Sequence, residues 1–140
     1  MSPSIGSSAE LRQAFNSQIG LCDELEQLAD ALPKCDRQQC LRVARLIRPL
    51  VTQSHKVEKA IVFPQLVARL AEGSALVEAI RIDHLEDEYF ADEVADHLLL
   101  MGLGHAGLEP EAVGYMLRAF FDSVRRRIRH EQALLGPLPH

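Results

Sequence analysis

Tryptophan is absent from this 140-residue sequence, and aromatic residues make up only 5% of it. A core must then be assembled from Leu, Ala, Val and Ile, which suits helix packing better than a β-sandwich. No segment alternates apolar and polar residues with period two over a useful length, so no strand is predicted. No uncharged apolar run approaches the roughly 20 residues that cross a bilayer, so no membrane is expected as a partner. Positive charge is not in excess either. The formal net charge is −5 with histidine neutral, which argues against a nucleic-acid-binding surface. The one basic block, Arg125-Arg126-Arg127-Ile128-Arg129, reads as a solvated helix face near a C-terminus, where cations complement the helix dipole. Cysteine is scarce. Cys22, Cys35 and Cys40 give an odd count, and the N-terminus has no charged stretch followed by an apolar one. A cytoplasmic protein with free thiols is the expectation. Cys35 and Cys40 flank a predicted turn, where oxidation would let them pair, but they read first as two unrelated small residues. No P-loop, dinucleotide fingerprint or nucleophile elbow is present, and Ser54 beside His55 is no catalytic pair, because adjacent helical residues diverge.

What the sequence does have is apolar residues, 47% of the chain, enough for one sizeable core. The length suits a single domain over residues 1–140. Punctuation divides it into four helices. The first is expected after Ser7, with Glu10 at the capping-box position, and stops near Leu32 before Pro33. The second starts after Asp36, with Gln39 at the same kind of position, and runs to about Leu70 across two expected kinks or breaks, Pro49 and Pro64. The third opens at Gly73-Ser74 and continues to about Met101. A glycine-rich loop over 102–107 follows, and Pro110 opens the fourth, which ends near Gly136-Pro137. Each segment carries an apolar stripe at three-and-four spacing. The stripes are Leu11, Ala14, Phe15, Leu21, Cys22, Leu25, Leu28, Ala29 and Leu32; Ala44, Ile47, Val51, Ile61, Val62 and Leu66; Val77, Ile80, Ala91, Val94, Ala95 and Leu98; and Val113, Leu117, Phe120, Val124, Ile128, Leu134 and Leu135. Short connections favour antiparallel neighbours, hence an all-α, up-down-up-down four-helix bundle. Leu99 and Leu100 hint at a protein partner or a homodimer face.

Polar residues interrupt every stripe. They are Gln18 in the first helix; Ser54, His55 and Glu58 in the second; His84, Asp87 and Glu88 in the third; Arg127 and Glu131 in the fourth, with His130 at the edge. A polar residue on a buried face is costly unless it meets a partner or a metal. In an up-down-up-down bundle all four sets fall in the same half, so one convergent cluster is expected. Imidazoles and carboxylates projecting inward from facing helices are what a non-haem iron, manganese or zinc site requires. His84 and Glu88, four apart, share a face, as do His55 and Glu58, three apart. Glu88 is the expected inward member of the acidic run 83–88, with Asp87 next. His97, His105 and His140 read as surface residues.

These residues resemble the hemerythrin-like family, the HHE cation-binding domain, over nearly the whole chain. The clearest piece is HKVEKAIVFPQL at 55–66, repeated loosely as HEQALLGPL at 130–138, so that aligning Pro64 with Pro137 superposes Glu58 on Glu131. His84 fits the family's third-helix ligand. The resemblance implies a metal site of Glu58, His84 and Glu131 with His55 and His130, to which the spacing adds Glu88, together with a di-iron cofactor and the binding or sensing of oxygen, iron or another small ligand. The sequence departs from the family at three ligand positions, where Gln18, Ser54 and Arg127 stand. Arg127 on the core face between Glu58 and Glu131 supplies an alternative, a metal-free adaptor or regulatory bundle that binds a partner protein. A di-iron oxidation or peroxide-removing enzyme is a third reading.

Overall fold

The computed structural model describes residues 4–105 and 107–136, with side chains from residue 8 onward. It contains α1 (Ser4–Ala31), α2 (Arg37–Arg69), α3 (Gly73–Gly102) and α4 (Pro110–Leu135), with no strand among the described residues. Pro137, Leu138 and His140 lie outside the described residues, as does the side chain of Ser7.

α1 begins earlier than its expected boundary. Serine in a helix interior is only about half a kcal/mol worse than alanine, so Ser7 need not be a cap. α2 begins where expected, with Asp36 Oδ1 accepting from the Gln39 backbone N–H at 3.1 Å. It then passes through Pro49 and Pro64 as one 33-residue helix instead of breaking. Each proline removes one N–H and strands the carbonyl four residues earlier. Both prolines, and Arg45 and Ala60 that carry those carbonyls, are exposed, so the ladder loses its hydrogen bonds on the solvent face and not in the core. Only three residues separate α2 from α3, and the connection is tight. A Cβ on Gly73 would stand 2.1 Å from the Leu66 carbonyl oxygen, a clash that only glycine avoids. α4 opens with Pro110 in its first turn and stops at Gly136, whose φ of 71° lies in the region that favours glycine.

The stripes converge on one core, whose largest fully buried apolar members include Phe15, Leu25, Ile47, Leu66, Ile80, Leu98, Leu117 and Phe120. Leu32, Ile61 and Leu134 pack only at its edge, while Cys40, Val43, Phe63 and Phe121 join it beyond the expected stripes. Each helix lies against the next in chain order, and α4 closes back on α1. The α2–α3 seam is the most extensive and the α3–α4 seam the least. Ion pairs lace three seams: Arg42 to Glu24, Arg48 to Asp92 and Asp96, and Arg118 and Arg125 to acids of α1. At about 0–1 kcal/mol each these fix register more than they add stability. They also split the basic block. Arg125 turns to Asp23, Glu26 and the Phe121 ring, while Arg127 turns inward.

Candidate metal centre

Each helix delivers its polar interruption to one place. Gln18 from α1, Ser54, His55 and Glu58 from α2, His84 and Asp87 from α3, and Arg127 and Glu131 from α4 are all buried. Glu58, His84 and Glu131 have no measurable exposure. They lie in the half of the bundle where α1 and α3 begin and α2 and α4 end, as the helix register requires.

Arg127 is the hub. Its Nε donates to Asp87 Oδ2 at 2.6 Å. Nη1 donates to Glu58 Oε1 at 3.0 Å and to Glu131 Oε2 at 2.6 Å. Nη2 donates to Gln18 Oε1 at 2.8 Å and reaches His55 Nε2 at 3.3 Å. A guanidinium carries five N–H donors, and all of them are engaged. Gln18 completes the bracket, donating from Nε2 to Glu58 Oε2 at 2.8 Å and to the Ala14 carbonyl at 3.2 Å.

The histidines are held differently. His55 Nδ1 is 2.7 Å from Glu88 Oε2. Burial pushes the His55 imidazole down to about 3, with the neighbouring His84 and Arg127 acting the same way, so the ring is neutral. A carboxylate can only accept, so the ring proton sits on Nδ1 and the bare Nε2 faces the cluster. This carboxylate–imidazole pair is the arrangement that orients a metal-ligating histidine. His84 stacks on His55 with centroids 3.9 Å apart and rings 3° from parallel, and Phe63 covers it at 5.9 Å. His84 Nε2 lies 3.3 Å from Glu58 Oε1 and 3.9 Å from Glu131 Oε2, an ion contact rather than a hydrogen bond. Both nitrogens of His84 and Oε1 of Glu131 are buried without any hydrogen-bond partner.

The charges do not close. Glu58, Asp87 and Glu131 bring three carboxylates, and Arg127 brings one cation. Burial opposes ionisation of Glu58, but His84, Glu131 and Arg127 outweigh it and hold its carboxyl well below the usual range. Burial raises Glu131 to about 7, and the charge on Glu58 adds to the rise. Burial likewise raises Asp87 against the pull of Arg127. Burial disfavours a charged His84, yet the carboxylates of Glu131 and Glu58 reverse this and make it more basic than usual. With Arg127 as its guanidinium the cluster therefore still retains protons that exposed groups would have shed.

His55, Glu58 and His84 each offer a ligand atom within 4.8 Å of the others. This imidazole and carboxylate set suits one divalent transition-metal cation, and the unpartnered Glu131 Oε1 is buried in the same cluster. The set does not suit two, because Arg127 already engages Glu58 Oε1, Glu131 Oε2 and Asp87 Oδ2.

Of the residues read from the sequence, His55, Glu58, His84 and Glu131 come together. Glu88 does not enter the cluster; it is one-third exposed and acts on His55 from outside, while Asp87 points inward in its place. The stripe spacing carries that signal, since 77, 80, 84, 87, 91 and 94 form an unbroken three-and-four series. His130 stays exposed, one residue and about 100° of helix from Glu131, and joins nothing in the cluster. His105 is exposed, and His97 is half-buried away from the cluster. Along the α3–α4 seam, Asp83, Glu86, Asp87, Ser123, Arg126 and Arg127 line an open cavity of about 260 Å³.

Comparison with curated proteins gave no match, and neither did comparison with solved structures. The family described as the hemerythrin HHE cation binding domain matches residues 11–138, a span that takes in most of α1, all of α2, α3 and α4, and every residue of the cluster. This chain, a four-helix bundle with a buried His/Glu/His group at its centre, belongs to the hemerythrin HHE cation-binding family.

Proposed function

We propose that this protein, acting over residues 1–140 as one unit, binds a single divalent transition-metal cation between His55, Glu58, His84 and Glu131. Iron is the metal that membership of the family favours. One observation carries the reading: His84 Nδ1 and Nε2 and Glu131 Oε1 are buried with no hydrogen-bond partner, beside a surplus of carboxylate. Unmet polar atoms of this kind are rare in protein interiors and call for an occupant. One divalent cation also balances the three carboxylates and Arg127. Bound there, the ion would supply an open coordination position for oxygen or another small ligand, which fits a binding or sensing role. The chain's own residues do the rest. Glu88 fixes the His55 tautomer, Gln18 spans Glu58 and Arg127, and Phe63 shields the stacked imidazoles. Arg127 holds one oxygen each of Glu58 and Glu131 and leaves a second oxygen on each for other partners.

A second reading rests on the full engagement of the Arg127 donors. In it, Arg127 and retained protons neutralise the cluster, no metal binds, and the bundle serves as an adaptor for a protein partner. Elemental analysis of protein purified without chelator or affinity tag separates the two. About one metal ion per chain supports the first reading, within the range of carboxylate–histidine bundles. A folded sample that stays metal-free after incubation with iron(II), manganese(II) and zinc(II) sinks it and leaves the second.

A further inference from the structure

At the end of the bundle opposite the cluster, two sulfur atoms meet. Cys35 lies in the connection between α1 and α2, and Cys40 lies in the first turns of α2. The N-cap residue Asp36 stands between them in sequence. Cys35 Sγ is 2.8 Å from Cys40 Sγ. A disulfide has an S–S length of about 2.05 Å, so the two atoms lie within about 0.8 Å of bonding distance. Their surroundings differ. Cys35 is half-exposed, and Cys40 is 1% exposed and packs in the core. The third thiol, Cys22, is fully buried, with its Sγ near the Phe121 carbonyl at 3.7 Å. The neighbourhood is anchored independently of the thiols, because Arg37 Nε donates to the Gly102 carbonyl at 3.1 Å and Asp36 caps α2.

We propose that Cys35 and Cys40 form an oxidation site, closed to an intramolecular disulfide by a hydroperoxide. Cys35, the accessible thiol, attacks one oxygen of hydrogen peroxide. The O–O bond breaks, water leaves, and Cys35 becomes a sulfenic acid. Cys40 Sγ then attacks the sulfenic sulfur, the S–O bond breaks, and a second water carries off the remaining thiol proton. Two thiols and one peroxide give one disulfide and two waters, with the peroxide reduced and the sulfurs oxidised. Proximity favours this closure over further oxidation, because a resolving thiol already stands beside the sulfur that reacts. The ring closes around the α2 cap and ties the α1–α2 connection to the helix it feeds. It requires no metal and stands whether or not the central cluster holds one.

The test is exposure of the full-length protein to a small excess of hydrogen peroxide at neutral pH, followed by denaturation, thiol titration and intact mass. Titratable thiols should fall from three to one per chain. The mass should drop by about 2 Da, the two hydrogens lost in forming one S–S bond, and peptide mapping should link Cys35 to Cys40. Cys35→Ser, at a half-exposed loop position, should fold normally and keep both of its remaining thiols under the same treatment. Three surviving thiols in the wild type would overturn the proposal. So would added oxygen at Cys35 without cross-linking, or disulfides only between chains.

Discussion

Arg127 shows how one side chain sets the character of a site. Its guanidinium has lost its hydration and regained all five hydrogen bonds from Asp87, Glu58, Glu131, Gln18 and His55. A buried charge network of this kind adds little net stability, but removing one partner leaves charges uncompensated. Arg127→Met should therefore cost about 3–5 kcal/mol in chelator-treated protein, measured by denaturant unfolding. Adding a divalent cation should recover part of that loss. A variant as stable as the wild type would show that Arg127 is not the counter-charge. Cys22 makes a separate prediction for alkaline pH. Burial raises its thiol from 9.0 to about 12, so the folded state holds a proton that the unfolded state releases. That contribution is fully present below pH 9.0 and is lost as pH rises towards 12. Wild-type stability should fall relative to Cys22→Ala by about 1.4 kcal/mol per pH unit within that window. Parallel curves for the two proteins from pH 8.5 to 10.5 would refute the assignment.

The elements follow from spacing and punctuation, with instructive exceptions. Gly73 sits where the start of α3 touches the last turn of α2, and a Cβ there would fall 2.1 Å from a backbone oxygen. Gly73→Ala should destabilise by about 1–3 kcal/mol or more, as overpacking does, although alanine is the better helix former. A neutral or stabilising result in thermal unfolding would mean the turn can open. The four helices, their order and their inward stripes were legible in the sequence because burial must repeat with the helical period. The continuity of α2 was not. Proline marks a lost hydrogen bond, and only the fold shows that Pro49 and Pro64 lose theirs on the exposed face of the helix. The cluster was legible as polar interruptions sharing one depth, which placed His55, Glu58, His84, Arg127 and Glu131 together. The choice between Asp87 and Glu88 was not settled by the four-residue rule, because both lie within reach of His84's face; the longer stripe series 80, 84, 87, 91 points to Asp87, and the partners across the seams agree. Asp87 meets Arg127 of α4, and Glu88 meets His55 of α2.

At the scale of the molecule, the bundle and its cluster are thermodynamically linked. Each helix contributes to the site, so a cation that binds only the folded chain must stabilise all four together. At about 100 times its dissociation constant, one such ion adds roughly 2.7 kcal/mol. Saturating iron(II) or zinc(II) should raise the melting temperature of the wild type, and chelator should reverse the shift. His84→Ala should abolish the shift while remaining folded at moderate temperature. A shift that survives in His84→Ala would place the ion elsewhere. No helix among the described residues is long and apolar enough to cross a membrane.

A guanidinium on α4 differs from an ion in one respect that matters under scarcity: it has no dissociation constant. Ions leave by mass action, and chelators or rival metals compete for what remains. Arg127 is covalently attached, so dilution cannot withdraw it and no rival cation can exchange for it. With one divalent cation bound as proposed, about a third of the positive charge at the centre would be fixed at every metal concentration, and only the remainder would answer to supply. Occupancy should then follow a simple one-site hyperbola, graded over about two decades of free ion around half-saturation, without the steepness that two interacting ions would confer.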